Sequence, residues 1–150
     1  MKEGWRMVKL GEVCEIKGGS TPLKSNKLYW ENGTIPWFTV DDIREQGRVI
    51  KYTSKHVTEL AAQRLCVYPV DTILLCCTAS VGEYALTKVE TTSNQQFNGL
   101  MIKDKSILLP KYLFYFSSTL KEILLKLSGK TTIDFVSVSK VSDIDLPLPP

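Results

Sequence analysis

One amphipathic pattern near the C-terminal end of the sequence limits what this chain can fold into. Proline at position 110 is followed by apolar residues at steps of three and four, namely Leu113, Phe116, Leu120, Leu124 and Leu127. This spacing places them on one face of an α-helix, and proline suits the first helical position because its missing N–H has no partner there. Gly129 is the kind of residue that commonly follows a last helical turn. The pattern predicts a helix over residues 110–127 whose apolar face lies in the core.

The rest of the sequence is divided into short segments by glycine, proline and asparagine. Asn32-Gly33 is a strong turn signal, and residues 18–22 have the composition of a loop. Residues 5–16 predict a short strand that runs into a short helix. Further short helices are predicted through residues 29–30, with Ser25 or Asn26 as the cap, at residues 41–44, with the pair Asp41-Asp42 as the cap, and at residues 58–65, with Thr58 as the cap. Strands are predicted at residues 35–40, 48–53, 72–78, 84–89 and about 99–103.

The length of 150 residues fits one domain. No apolar run approaches the ~20 residues of a membrane-spanning helix, and residues 1–6 contain no signal-peptide apolar region. We therefore expect a cytoplasmic protein with no membrane partner. The net charge of +3, from 19 basic and 16 acidic residues, permits a nucleic-acid partner without requiring one.

Cysteine and histidine usage excludes most metal chemistry. The cysteines are Cys14, Cys66, Cys76 and Cys77, with no C-x-x-C pair, and His56 is the single histidine. Zinc sites need several Cys and His ligands at characteristic spacings, which this sequence lacks. The adjacent Cys76 and Cys77 end an apolar run and are predicted to be buried free thiols.

The motifs of common enzyme classes are missing or incomplete. Residues 129–132 resemble the end of a phosphate-binding loop, but the required earlier glycine is replaced by Leu124. There is no G-x-S-x-G motif, no glycine-rich cofactor loop and no Asn/Asp-Pro-Pro-aromatic tetrapeptide of a DNA methyltransferase. A small cytoplasmic enzyme built on a thiol or a carboxylate pair is an alternative, with the candidates Cys14, Cys66, Asp41, Asp42, Asp143 and Asp145.

Polar and basic residues of the predicted loops form the remaining candidate site. Asn and Gln can pair with adenine, Arg and Lys can pair with guanine, and Ser or Thr can contact a base or a phosphate. Between residues 44 and 64 there are five Lys or Arg and two Glu. Such side chains are also typical of solvated loops, so these residues alone do not establish DNA binding.

A series of short motifs in a fixed order carries a resemblance that covers essentially the whole chain. They are Trp5-x-x-Val8-x-Leu10-Gly11-Glu12-Val13, Gly18-Gly19-Ser20-Thr21-Pro22, Tyr29-Trp30, Ile35-Pro36-Trp37, Thr72-Ile73-Leu74, Ala79-Ser80-Val81-Gly82, Asn94-Gln95-Gln96, Tyr112-Leu113 and Ile144-x-Leu146-Pro147-Leu148-Pro149-Pro150. Their order resembles the target recognition domain of specificity (S) subunits from type I restriction-modification systems. We accordingly expect an α+β fold, with one compact domain containing a mixed, twisted, partly barrel-like sheet, several short helices and the longer helix at 110–127.

The resemblance implies a non-catalytic role in DNA recognition. In this family a subunit carries two such domains, each followed by a long helix, and each domain recognises one half of a bipartite site in double-stranded DNA. Modification subunits methylate adenine with S-adenosylmethionine, and restriction subunits translocate and cut DNA, so S-adenosylmethionine, ATP and Mg would belong to those partners and this chain would need no cofactor. Residues 1–150 would be one recognition domain that ends where the spacer helix begins. The alternative is a protein-interaction module that docks a methyltransferase subunit.

The predicted DNA-binding residues are the polar and basic positions outside the shared packing motifs, together with two shared patches. Ser80 and residues 94–96 are expected either to hold a loop together or to contact phosphate. Base readout is expected chiefly at residues 24–29, 44–56 and 130–132. The complete set is Lys24, Asn26, Lys27, Tyr29, Arg44, Arg48, Lys51, Lys55, His56, Ser80, Asn94, Gln95, Gln96, Lys130, Thr131 and Thr132.

Overall fold

A computed structural model describes residues 2–128 and 135–150. The strands are β1 (Arg6–Lys9), β2 (Cys14–Gly18), β3 (Ile35–Phe38), β4 (Val49–Ile50), β5 (Lys55–Val57), β6 (Ile73–Cys76), β7 (Tyr84–Thr87), β8 (Thr92–Ser93), β9 (Phe97–Ile102) and β10 (Asp145–Leu148). The helices are α1 (Leu10–Val13), α2 (Lys27–Trp30), α3 (Val40–Gln46), α4 (Glu59–Ala62), α5 (Pro110–Phe116), α6 (Leu120–Ser128) and α7 (Val138–Ser142). The predicted site residues Lys130, Thr131 and Thr132, and the predicted helix end at Gly129, lie outside the described residues.

The described strands form three sheets with mixed pairing. The largest has the order β2-β9-β6-β7-β4, in which β4 pairs parallel to β7 and the other pairs are antiparallel. The second joins β1 to β10, and the third has the order β5-β3-β8. The expected α+β class is confirmed. The sequence pattern does not predict β2 as a separate strand, because what defines this strand is its pairing with the distant β9.

The central strand β6 explains the apolar run that contains the adjacent cysteines. Ile73 and Leu75 face a core cluster that also contains residues of α5 and α6, whereas Leu74 and Cys76 face a second cluster with Phe38. A strand buried on both faces is apolar at every position instead of alternating. The predicted burial of both neighbouring thiols is confirmed.

The predicted long helix is present as α5 and α6, joined by a 3-10 turn at residues 117–119. The hydroxyl of Ser117 donates to the carbonyl of Leu113 at 2.7 Å, and Ser118 and Thr119 bond back to carbonyls three residues earlier. Three such hydroxyls in succession compete with the helical ladder. The predicted buried face is confirmed at Leu113, Leu120 and Leu124, but Leu127 is 37% exposed, so its predicted burial is wrong.

The third sheet and two short helices form a smaller cluster that supports the candidate site. Trp37 of β3, Val57 of β5 and Ala61 of α4 are its buried members, and Tyr29 and Trp30 of α2 pack against them. This packing gives Trp30 and Trp37 a structural role. The cluster fixes the position of residues 19–26, the loop between β2 and α2. This loop contains the predicted DNA-binding residues Lys24 and Asn26.

Candidate nucleic-acid interface

The loop that leaves β2 is attached to its neighbours by backbone hydrogen bonds. Gly19 donates to the carbonyl of Phe97 at 3.0 Å, and Ser20 donates to the carbonyl of Ser93 at 2.9 Å. Only glycine fits at position 19, because a Cβ there would lie 2.1 Å from the hydroxyl of Ser93 and 2.3 Å from the carbonyl oxygen of Asn94. Close contacts with residues 93 and 94 therefore explain the glycine at position 19.

Two indole N–H groups hold the next part of the loop. Nε1 of Trp37 donates to the carbonyl of Ser20 at 3.1 Å, and Nε1 of Trp30 donates to the carbonyl of Leu23 at 3.2 Å. Asn26 caps α2 as predicted, since its Oδ1 accepts the N–H of Leu28 at 3.0 Å. Side-chain hydrogen bonds therefore add to the backbone hydrogen bonds of Gly19 and Ser20 in ordering the loop.

A shallow cleft of about 250 Å³, here called the lysine cleft, is lined by Lys24, Trp30, Trp37 and Lys55. The two indole rings meet edge to face, with centroids 5.0 Å apart and planes at 90°. Nζ of Lys55 lies 5.9 Å from the centroid of the Trp37 ring, within the range of a cation–π contact. Lys24 and Lys55, two predicted DNA-binding residues that are 31 positions apart in the sequence, therefore line the same cleft.

A neighbouring groove contains the predicted residues Asn26 and Tyr29. Its volume is about 350 Å³, and its lining includes Leu23 and Arg64. The guanidinium carbon of Arg64 lies 6.0 Å from the centroid of the Tyr29 ring. The sequence pattern does not place Arg64 in the site, because its position beside Tyr29 depends on the packing of α2 against α4.

Arg44, Arg48 and Lys51 are predicted basic residues that lie outside both of these sites. Arg44 is exposed on α3 and pairs with Asp41, with 3.0 Å between Nη1 and Oδ1. Arg48 pairs with Glu83 at 3.1 Å and lies over the ring of Tyr84, so its guanidinium has partners within the fold. Lys51 is exposed next to β4. None of the three lines the lysine cleft or the Tyr29 groove.

The polar patch at residues 94–96 borders the same loop. The Oδ1 of Asn94 accepts the N–H of Gln96 at 3.1 Å, and the hydroxyl of Thr21 donates to the amide oxygen of Gln95. Ser80 is half-buried in the turn after β6, where Gly82 packs closely on Lys121 of α6. Asn94, Gln95 and Gln96 therefore have hydrogen-bond partners within the fold.

The exposed lysines of this region have no acidic partner in the described part of the chain. Lys24, Lys27 and Lys55 are exposed, and none forms an ion pair with any described carboxylate. His56 is exposed beside Lys55 on β5. Cations without partners at the surface attract anions, and phosphates of DNA are anions of this kind.

The cysteines have none of the features of a nucleophilic site. Burial raises the pKa of the Cys14 and Cys77 thiols to about 12, and it also raises the pKa values of Cys66 and Cys76. Reactive cysteines instead have lowered pKa values, because the thiolate is the nucleophile. Within residues 2–128 and 135–150, no group of three or more His, Cys, Asp or Glu side chains is placed to hold a metal ion.

The carboxylate pairs also have local structural partners. At the start of α3, Oδ2 of Asp42 accepts the N–H of the N-cap residue Thr39 at 3.1 Å, and Oδ1 accepts the N–H of Ser54 at 2.9 Å. The predicted capping by the Asp41-Asp42 pair is therefore confirmed at Asp42, whereas Asp41 lies inside the helix and pairs with Arg44. Asp143 and Asp145 are exposed and pair with Lys9. No helix of the described residues combines the length and the apolar character needed to cross a membrane.

Together, the fold and the site define an α+β domain with a basic and aromatic surface around its third sheet. The model of the type I restriction modification DNA specificity domain matches residues 2–150. The chain belongs to this family, which confirms the resemblance carried by its short motifs.

Named relatives agree with this assignment. The chain is 36% identical over 115 residues to the specificity subunit of the type I restriction enzyme EcoprrI of Escherichia coli, covering 75% of this chain and 29% of that protein. It is 33% identical over 150 residues to the specificity subunit of the enzyme MjaIX of Methanocaldococcus jannaschii, covering 97% of this chain and 34% of that protein. The chain therefore spans about a third of the length of these relatives.

The likeness to solved structures concerns the fold alone. The HsdS subunit from Thermoanaerobacter tengcongensis matches with a TM-score of 0.74 and 24% identity, over 100% of this chain and 34% of that one. The S subunit from M. genitalium matches with a TM-score of 0.65 and 19% identity, over 95% of this chain and 34% of that one.

Proposed function

We propose that this chain recognises one half of a bipartite DNA target as part of a type I specificity subunit, without catalysing a reaction itself. The observation that carries the proposal is the family match over residues 2–150. Because the chain spans about a third of each relative, we propose that residues 1–150 act as a single recognition domain of a longer subunit. Modification and restriction subunits would supply methylation and cleavage together with S-adenosylmethionine, ATP and Mg.

We assign phosphate binding to the lysines around the lysine cleft. Lys24, Lys27 and Lys55 are exposed and lack acidic partners among the described residues. An ammonium at the end of a flexible chain suits a phosphate, which carries a full charge and requires no fixed direction of approach. Tyr29 and His56 lie beside these lysines and can add hydrogen bonds to the backbone of DNA.

The contacts of the predicted amides favour a role in ordering the loop over bidentate pairing with adenine. Such pairing uses both the oxygen and the nitrogen of the side-chain amide. The oxygen of Asn26 already accepts the N–H of Leu28, and the oxygen of Gln95 accepts the hydroxyl of Thr21. We therefore propose that these amides order the loop, and that base readout also involves Lys130, Thr131 and Thr132, as predicted from the sequence.

The alternative of a thiol enzyme has little support from the site. All four cysteines have raised pKa values, with burial as the main cause. The predicted carboxylate pairs make a helix cap and an exposed ion pair, neither of which places two carboxyl groups around a shared cavity.

The salt dependence of DNA binding tests the proposal. The specificity subunit containing this chain, assembled with its modification subunits, would be titrated with its target duplex and a scrambled duplex at several salt concentrations. Lys24→Ala and Lys55→Ala should weaken binding to both duplexes alike and reduce the slope of log K against log salt by about 1 each. Lys111→Ala, on α5 and outside the lysine cleft, is the matched control and should leave the slope unchanged.

Two outcomes would contradict the proposal at different levels. If the unmodified complex binds the target and the scrambled duplex equally, the chain does not function in sequence recognition. If the unmodified complex discriminates and the two cleft variants keep the original slope, the function stands but the phosphate contacts lie elsewhere.

A further inference from the structure

Two leucines that adjoin Lys24 and Lys27 in the sequence are largely exposed to solvent. The side chains of Leu23 and Leu28 are 66% and 69% exposed, and neither is among the site residues predicted from the sequence. An isolated exposed leucine is ordinary on a protein surface. Here, however, both belong to residues 23–28, which also contain the exposed Lys24 and Lys27.

Hydrogen bonds fix the backbone of Leu23 and Leu28, although the side chains of both residues are exposed to solvent. The carbonyl of Leu23 accepts the N–H of Asn26 at 3.0 Å and the indole N–H of Trp30 at 3.2 Å. Leu28 donates its N–H to Asn26 and accepts the hydroxyl of Thr58 at 2.6 Å. The two leucines are thus presented on a fixed support, which reduces the entropy lost when a partner binds.

The charges beside the leucines indicate the chemistry of the partner. Lys24 and Lys27 have no acidic partner among the described residues, so an anionic partner complements this segment. The partner must also offer apolar atoms to the two leucines. In the major groove of DNA, the C5-methyl group of thymine is the apolar group, and it lies within reach of residues whose neighbours bind phosphate.

We propose that Leu23 and Leu28 contact the C5-methyl groups of thymines in the DNA half-site while Lys24 and Lys27 hold adjacent phosphates. This inference rests on the proposed function and names the base feature that these two side chains recognise. It assigns specificity to apolar residues, in addition to the polar positions predicted from the sequence.

Replacing thymine with deoxyuridine tests the contact, because only the methyl group is removed. The assembled complex would be titrated with its target duplex and with duplexes that carry deoxyuridine at each thymine of the half-site in turn. For a contacted thymine we expect binding to weaken about fourfold, the value for one buried methyl-sized group. In the variant that lacks the contacting leucine, Leu23→Ala or Leu28→Ala, the methyl group of thymine has no partner. This variant should therefore bind the deoxyuridine duplex as tightly as it binds the thymine duplex.

Leu109→Ala is the matched control, since Leu109 is 63% exposed and lines a different groove. This variant should keep the full response to deoxyuridine. Because all three leucines are exposed, the variants should keep the melting temperature of the unmodified complex, so failure to fold is separable from loss of the contact.

Three results would overturn the inference while the complex still discriminates its target from a scrambled duplex. The first is that no deoxyuridine substitution weakens binding by the unmodified complex. The second is that the leucine variants respond to deoxyuridine as fully as the unmodified complex does. The third is that the variants lose assembly with the modification subunits while the assembled fraction keeps its response, which would identify a protein partner for these leucines.

Discussion

The guanidinium carbon of Arg48 lies 4.1 Å from the centroid of the Tyr84 ring. Its Nη1 also donates to Oε2 of Glu83 and to the carbonyl of Tyr84, each at 3.1 Å. Since Arg48 directly precedes β4, and both partners lie at the start of β7, these contacts join the parallel edge strand to the sheet. They favour a structural role for an arginine that the sequence pattern predicts to bind DNA.

Arg48→Ala is therefore expected to act on stability. The pair is about one-third exposed, so we discount its charge contribution and expect a loss of about 1 kcal/mol in the free energy of unfolding. Arg48→Lys should recover only part of the lost free energy of unfolding, because an ammonium does not stack on the Tyr84 ring as a guanidinium does. Urea denaturation measures the change.

Arg44→Ala serves as the control for Arg48. Its ion pair with Asp41 is about two-thirds exposed on both sides, so its removal should cost less than about 0.5 kcal/mol. If a substitution of Arg48 weakened DNA binding but left the urea midpoint unchanged, the structural role would be wrong. The DNA contact predicted from the sequence would then be supported.

The neighbouring glycines of the β2 exit should differ sharply in their tolerance of alanine. A Cβ at position 19 would lie 2.1 Å from the hydroxyl and 2.4 Å from the carbonyl oxygen of Ser93, whereas at position 18 the nearest atom is Oδ1 of Asn98 at 3.1 Å. Gly19→Ala should cost about 1–3 kcal/mol, because a backbone carbonyl must move, and it should also weaken DNA binding by shifting the loop. Gly18→Ala should cost clearly less in thermal denaturation, and equal costs would contradict this explanation.

The elements with strong local signals could be predicted from the sequence. The leucines at steps of three and four predicted α5 and α6, and Asn26 and Thr58 cap α2 and α4 as expected. The interruption at Ser117 was not predicted, because a serine hydroxyl bonds back to a carbonyl only in some contexts. The division of the strands among three sheets depends on long-range pairing, which no local pattern reports.

The candidate site was predictable in composition but not in arrangement. The sequence indicated Lys24 and Lys55 without showing that they line one cleft, since their proximity depends on the packing of Trp30 against Trp37. It also treated Arg48 like the other basic residues, because its partner Glu83 is 35 positions away. Exposed leucines were not selected, since an apolar residue in a loop gives no sign of whether it is buried.

Alkylation of the native protein should find no fast cysteine. Buried Cys14 and Cys77 have pKa values of about 12, compared with an ordinary 9.0, so their thiolate fraction near neutral pH falls on the order of a thousandfold. Cys66, which is only half-buried, should react first, and Cys66→Ala should remove that first phase. Iodoacetamide labelling followed by mass spectrometry measures the order. If a cysteine reacted faster in the native protein than in the denatured protein, that result would support the alternative of a thiol enzyme.

The same buried thiols should make the fold sensitive to alkaline pH. A group whose pKa is raised by folding stabilises the folded state fully below its unfolded pKa, and this contribution is lost as the pH rises toward the folded pKa. For Cys14 and Cys77 the window extends from about pH 9 to about pH 12, because the unfolded chain releases these protons first. Tyr68 adds to the loss from about pH 10, since burial raises its pKa to about 12.

Within this window each thiol should reduce the free energy of unfolding by roughly 1.4 kcal/mol per pH unit. Urea denaturation at about pH 8, 9 and 10 measures this slope for the unmodified chain and for the Cys14→Ala/Cys77→Ala double variant. The double variant should start less stable, since it loses buried atoms, but should lose roughly 2–3 kcal/mol less between pH 8 and pH 10. Cys66→Ala is the control and should change the slope less, because Cys66 is only half-buried and burial affects its pKa less strongly. An unchanged slope in the double variant would show that other groups cause the alkaline loss and that these thiols do not hold their protons as the structure predicts.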